Sequence, residues 1–313
     1  MTFPARLCAL LAAVVALLVP VPAASGQAPG FDVQAHAGGR GETTGESLRA
    51  FAKAIETGVS TIELDINITR DGQPLVWHDS TFDAQQCSDT GPAFPGDPAY
   101  PYVGKRVYEL SLAQIRTLDC GKPNKEFPRA EVVWGNKITT LPEVFKLADS
   151  YHSDVRYNIE TKVAADQPGV SAEPQEFVDV ILASVRSAGK VDRVEIESFD
   201  WRTLPMVRRA EPSIPLVALW DEQTWVPGSP WSAGIDPAVV GDPMIGAMLA
   251  DAGVLSPRYP LVDKAFVDRA HALGLKVIPW TVDDAAAMRE QIADGVDGLI
   301  TNYPTLLRSV LAG

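Results

Sequence analysis

The chain has 313 residues, with 40 acidic against 27 basic side chains and a formal net charge of −13. No basic stripe is present to displace counterions from a phosphate backbone, so nucleic acid is not an expected partner. With 46% hydrophobic residues and only three cysteines, a chain this long can bury a large core without a disulfide scaffold.

Residues 1–28 carry one arginine, an apolar run from Leu7 to Val19, and then proline and small residues. That layout predicts a secretory signal peptide cleaved between Ala24 and Ala28, and hence a secreted, periplasmic or cell-envelope protein. The apolar run is short and broken by Pro20 and Pro22, and no later run reaches about 18 apolar residues, so stable membrane insertion is not expected. Removing the leader leaves Cys87 and Cys120, which in an oxidising compartment predict one disulfide.

Residues 29–313 alternate short β-branched runs with helical patterns, as βα units around a parallel sheet do, and no linker divides them. Strands are expected at 32–36, 60–66, 74–78, 155–160, 192–198, 214–219, 252–256, 275–280 and 297–301. Helices are expected at 46–57, 140–150, 174–188, 201–209, 262–273 and 283–294, with Gly58, Gly189, Gly274 and Gly295 as stops. Nine strands are one too many for an eight-stranded barrel, and 214–219 and 252–256 are the weakest. Residues 80–137, rich in Gly, Pro, Asp and Tyr, break the rhythm as a long insertion after the third strand.

Chemistry-bearing side chains fall at the strand ends. In IELDINITRDGQPLVWHD, Glu63 and Asp65 share one strand face while Ile62, Leu64 and Ile66 share the other. Two inward carboxylates are costly to bury without a cation or donors to receive them. His36, His78 and Glu160 also end strands, and in a parallel barrel such ends gather at one mouth. Three carboxylates without cysteine ligands predict a hard divalent cation, Mg²⁺ or Ca²⁺, the other reading being a salt-bridge network with Lys162, Arg40 or Lys276; the two histidines are placed to carry protons beside the acids. His152 and His271 read as structural or surface residues. Nothing resembles a nucleophile elbow, a P-loop or a zinc-protease helix.

The segments QAHAGGRG, ESLRAF, IELDINITRDGQPLVWHD, ITTLPEVF, YNIETK, VEIESFD, KVIPWTVDD and GVDGLITNYP, in this order, resemble the glycerophosphodiester phosphodiesterase family along nearly the whole mature chain. The resemblance implies a single-domain (β/α)₈ TIM barrel and hydrolysis of glycerophosphodiesters to glycerol 3-phosphate and an alcohol. It also implies one divalent cation on Glu63, Asp65 and Glu160, His36 and His78 as the acid/base pair, and Lys162 on phosphate. One of the two weak strands would then not be a barrel stave. The chain departs from the family pattern in one loop. Ala37 stands where arginine is usual, leaving Arg40 to supply that contact, and Thr44, Gly45, Glu46 and Ser47 stand where Pro-Glu-Asn-Thr/Ser is common. Trp280 offers an apolar wall for glycerol carbons. Two other readings are a secreted phospholipase D of the sphingomyelinase D type and an exported glycerophosphoryl-binding protein without catalysis. Oligomeric state is not legible.

Overall fold

The computed structural model describes residues 30–313; the leader expected at 1–28 lies outside the described residues. The chain starts with β1 (Asp32–Ala35), α1 (Leu48–Thr57), β2 (Thr61–Ile68) and β3 (Pro74–Val76). It continues through α2 (Leu112–Ile115), α3 (Leu141–Ser150), β4 (Arg156–Thr161), α4 (Pro174–Ser187), β5 (Val194–Ser198), α5 (Thr203–Ala210) and β6 (Leu216–Trp220). Then follow α6 (Pro237–Val240), α7 (Pro243–Leu249), β7 (Val254–Pro257), α8 (Lys264–Ala272), β8 (Lys276–Val277), α9 (Ala285–Asp294), β9 (Gly298–Thr301) and α10 (Pro304–Leu311).

Eight strands lie in the order β8-β7-β6-β5-β4-β2-β1-β9, each parallel to its neighbours. Backbone hydrogen bonds from Asp297 N–H to Val277 O (2.9 Å) and from Ile300 N–H to Pro279 O (3.1 Å) join the two ends. The architecture is therefore a (β/α)₈ barrel. Pro279 lacks an N–H, which cuts the expected 275–280 strand to a two-residue ladder.

The ninth strand is not the one anticipated. Both weak runs, now β6 and β7, are barrel staves, and the odd strand is β3, which pairs antiparallel with β2 through Ile66 and Val76. The reason is length: residues 69–73 are too few for a parallel crossover, which needs about a dozen. The turn is closed by Gly72 N–H on Thr69 O (2.9 Å), with Gly72 at φ +71°. His78 thus reaches the barrel mouth on a returning hairpin rather than at the end of a stave.

Alternation along the staves sorts the interior. Ile62, Leu64, Ile66, Ile159 and Ile196 face outward and pack with Phe51, Phe145, Phe177 and Leu204 beneath the helices. The opposite parity puts Gln34, Glu63, Asp65, Asn158, Glu160, Glu195 and Glu197, all buried, inside the barrel. The 80–137 insertion is a packed structure with its own core of Trp77, Phe82, Tyr102, Leu110 and Ile115, pinned by the Cys87–Cys120 disulfide. Among the described residues no helix is long and apolar enough to cross a membrane.

Candidate active site

Where β1 ends, the chain turns through three consecutive left-handed residues, Ala37, Gly38 and Gly39, at φ +50°, +75° and +92°. Gly38 also lies so close to Phe51 that a Cβ there would meet the ring at 2.8 Å. Ala37 bears the strain of a non-glycine residue, about 1 kcal/mol, and gains two contacts from it. Its N–H donates to Glu63 Oε2 (2.9 Å), and its carbonyl accepts Glu46 N–H (2.9 Å).

The same turn aims His36. Its Nδ1 lies 2.6 Å from Asn302 Oδ1, while Asn302 Nδ2 donates to Asp283 Oδ2 (2.6 Å) and Asn302 N–H to Asp283 Oδ1 (2.8 Å). With the amide nitrogen committed to Asp283, Oδ1 must face His36 and accept, so His36 carries its proton on Nδ1. Nε2 keeps its lone pair and points to the carboxylates, 3.9 Å from Glu63 Oε2. Burial lowers the His36 pKa to about 4; Asp65 opposes that shift and Arg40 adds to it.

His78 is seated through backbone contacts: Trp77 N–H donates to Asp65 O (3.0 Å), Asn67 Nδ2 to Trp77 O (2.7 Å) and His78 N–H to Glu46 Oε2 (2.9 Å). Its Nδ1 lies 2.7 Å from Asp79 Oδ1. The His78 hydrogen bond holds Asp79 below the usual carboxylate range, so an imidazolium at His78 has a counter-charge in place.

The carboxylates lie in register on neighbouring staves: Glu63 beside Asn158 and Asp65 beside Glu160. Two overlapping sets, His36–Glu63–Asp65 and Glu63–Glu160–Glu197, each place one ligand atom per residue within 4.8 Å of one another. Glu63 belongs to both. Asp65 and Glu160 fall in different sets because the Lys162 ammonium stands between them, 3.3 Å from Asp65 Oδ1 and 2.9 Å from Glu160 Oε1. Burial would raise Asp65, yet Lys162 and the histidines outweigh it and hold Asp65 ionised. Burial lifts Glu160 to about 7 against the pull of Lys162, and pushes Glu63 and Glu197 well up. Neither Asp65 oxygen has a hydrogen-bond partner. Oxygen donors, one imidazole and buried unpartnered carboxylate oxygens fit a hard divalent cation.

Arg40 donates to Glu126 (3.0 Å) and lies 5.2 Å over the Phe127 ring, in the wall of the cleft. Trp280 packs edge-on to Phe199 and donates its indole N–H to Ser256 O (2.8 Å). His152 is exposed, and His271 pairs with Asp297 on α8. The cleft itself, about 420 Å³, runs from His78 and Glu46 to Lys122 and Glu131 of the insertion. Sequence reasoning passed over Glu46, Glu197, Asn302 and Asp283. For Glu197 a signal existed, since VEIES has the same alternation as IELDI.

A parallel barrel with two histidines and buried carboxylates gathered at one mouth has the build of an enzyme whose chemistry sits at its strand ends. Residues 36–306 match the Glycerophosphoryl diester phosphodiesterase family. A glycerophosphodiester phosphodiesterase of Caldanaerobacter subterraneus is 29% identical, over 90% of this chain and 98% of that protein. One of Bacillus subtilis is 28% identical, over 89% and 86%. Among solved structures, a putative glycerophosphoryl diester phosphodiesterase from Silicibacter pomeroyi superposes with a TM-score of 0.76 at 27% identity, covering 90% of this chain and 92% of that one. An Oleispira antarctica phosphodiesterase, solved with the product sn-glycerol-3-phosphate, shares the fold at TM-score 0.68 and 19% identity, covering 90% and 97%. The chain belongs to the glycerophosphoryl diester phosphodiesterase family and is a phosphoric diester hydrolase.

Proposed function

We propose that the protein hydrolyses glycerophosphodiesters to glycerol 3-phosphate and an alcohol, with one Ca²⁺ or Mg²⁺ held by Glu63, Asp65 and Glu160. When bound, the cation offsets negative charge building on the phosphoryl oxygens. His36, neutral near pH 7 and with Nε2 free, takes the proton of the attacking hydroxyl or water. His78, backed by Asp79, gives a proton to the departing alkoxide. Lys162, fixed between Asp65 and Glu160, adds positive charge where the phosphate rests. Arg40 joins it only by leaving Glu126, so its part is to hold the cleft wall.

The observation that carries this reading is that two imidazoles, each with Nδ1 beside a side-chain oxygen, both lie near enough to buried Asp65 to help hold it ionised. The protein is exported, with residues 1–28 as its leader; the disulfide supports that compartment. The test is product analysis on a panel of glycerophosphodiesters and lysophospholipids. Release of glycerol 3-phosphate that a chelator abolishes, and Ca²⁺ or Mg²⁺ restores, is the expected result. Binding without turnover, or activity indifferent to chelation, would overturn it.

A further inference from the structure

Glu46 is a buried carboxylate to which the proposed function gives no task. It sits in the turn before α1 at φ +57°, a left-handed conformation that a long side chain adopts at a cost. It is 6% exposed and lines the cleft. The backbone fixes it from two sides: its N–H donates to Ala37 O (2.9 Å), and its Oε2 accepts His78 N–H (2.9 Å). Oε1 is buried and has no hydrogen-bond partner.

Its neighbour is Asp65, near enough that the charge of Asp65 helps push the Glu46 carboxyl up. Asp65 is fully buried and both its oxygens also lack hydrogen-bond partners, with Lys162 the near cation at 3.3 Å on the Oδ1 side. Two buried carboxyl groups facing each other cannot both carry charge without a cation; burial and Asp65 push the Glu46 carboxyl well up, so a proton and a metal ion compete for the same place. The His78 contact does not account for the charge, because a neutral amide oxygen would accept that N–H equally well. Left-handed backbone and burial both oppose a glutamate here, and a ligand role gives its free oxygen a use.

We propose that Glu46 is a fourth carboxylate ligand of the cation, binding through Oε1 beside Asp65, while Oε2 stays on the His78 backbone. This rests on the proposed function for the existence of the cation and adds a donor on a different loop. Each further carboxylate raises affinity for a divalent ion, and Ca²⁺, which takes six to eight oxygens, benefits more than Mg²⁺, which keeps its waters. The shared carboxylate also ties the cation to the seat of His78, so the ion and one proton carrier are positioned together.

Calorimetric titration of the purified protein with Ca²⁺ alone tests this without an activity readout. Glu46→Gln keeps the acceptor for His78 and is expected to weaken the Kd by about tenfold or more. Glu290→Gln removes the same charge on the exposed face of α9, outside the cleft lining, and is expected to leave the Kd within about twofold. Tb³⁺ luminescence, excited through Trp77 in the same cleft, is expected to show an additional bound water in Glu46→Gln. Should that variant fail to fold, Glu46→Asn, better suited to the left-handed turn, gives the same readout. Wild-type affinity in Glu46→Gln, or an equal loss in Glu290→Gln, would overturn the ligand role. A wild-type protein that binds no Ca²⁺ would bring down the parent reading as well, and that outcome is recognised before any variant is made.

Discussion

The barrel interior holds two polar tiers that differ in how completely they are paired. In the lower tier Thr61 donates to Asp32 (2.8 Å), Gln34 to both Asp32 (3.1 Å) and Glu195 (2.8 Å), and Asn158 to Gln34 (2.9 Å) and Glu197 (2.6 Å); Arg156 pairs with Asp32. Asn158 Oδ1 is the orphan in that network. In the upper tier Glu46 Oε1 and both Asp65 oxygens lack hydrogen bonds, and Lys162 is stretched between two acids. The lower tier is paired except at that one oxygen and serves folding. The upper tier is left open, and its groups make sense only with a ligand among them.

That contrast breaks most sharply if the upper tier turns out to be structural. His36→Ala and His78→Ala are each expected to cut kcat by about 10²- to 10⁴-fold and to leave the thermal midpoint nearly unchanged. Steady-state kinetics beside a melting curve checks both. His36 must be unprotonated to act as base, so kcat/KM is expected to fall as pH drops through about 4.

A second comparison sets the insertion against the barrel. Replacing Cys87 and Cys120 by serine opens a loop of 33 residues and is expected to cost roughly 3 to 4 kcal/mol in the chain-entropy picture. Denaturant melts are expected to show that loss, while proteolysis confined to 80–137 would show that the insertion opens without the barrel. Intact cleavage resistance in the double variant would count against its role as a pinned wall.

Asn302→Ala sharpens the upper tier from behind. The imidazole of His36 would lose the acceptor that fixes its tautomer, with an expected fall of about 10- to 100-fold in kcat and little change in KM. A fall in KM-linked binding alone would instead point to a packing role.

The smallest effect belongs to the lower tier. Burial and the neighbouring Asp32 raise Glu195 to about 7, against 4.5 when exposed, with Arg156 and Gln34 opposing. A folded pKa above the unfolded one means the bound proton stabilises fully below about 4.5, and that contribution is lost as pH rises through about 7. Glu195→Gln, always neutral, is therefore expected to be more stable than wild type at pH 8, on the order of 1 kcal/mol after the lost Arg156 attraction is counted, and no more stable at pH 4.5. Melting curves at the two pH values decide it; activity at pH 8 should not move.

Much of this could be read from residue order. Period and punctuation located β1, β2 and β4 to β7 to within two residues, because one face of each is apolar and its ends carry turn residues. The histidines and acids at strand ends were legible for the same reason: alternation says which face a side chain takes. It does not say which way a neighbouring strand runs, and so β3 passed as a stave although the five-residue TRDGQ link forbade it. Asn302 and Asp283 were invisible for a different reason, since the His36 contact spans 266 positions and no local period reports it. Glu46 stood in plain view as a departure from the family pattern, but its burial and its free oxygen exist only in three dimensions.

The hairpin that delivers His78 separates two kinds of change. Barrel closure depends on eight staves, and β3 is not one of them, while the insertion starts directly after His78. Loops over the cleft can therefore lengthen, shorten or exchange their lining, and His78 beside them stays moored through Trp77 to the main chain of Asp65.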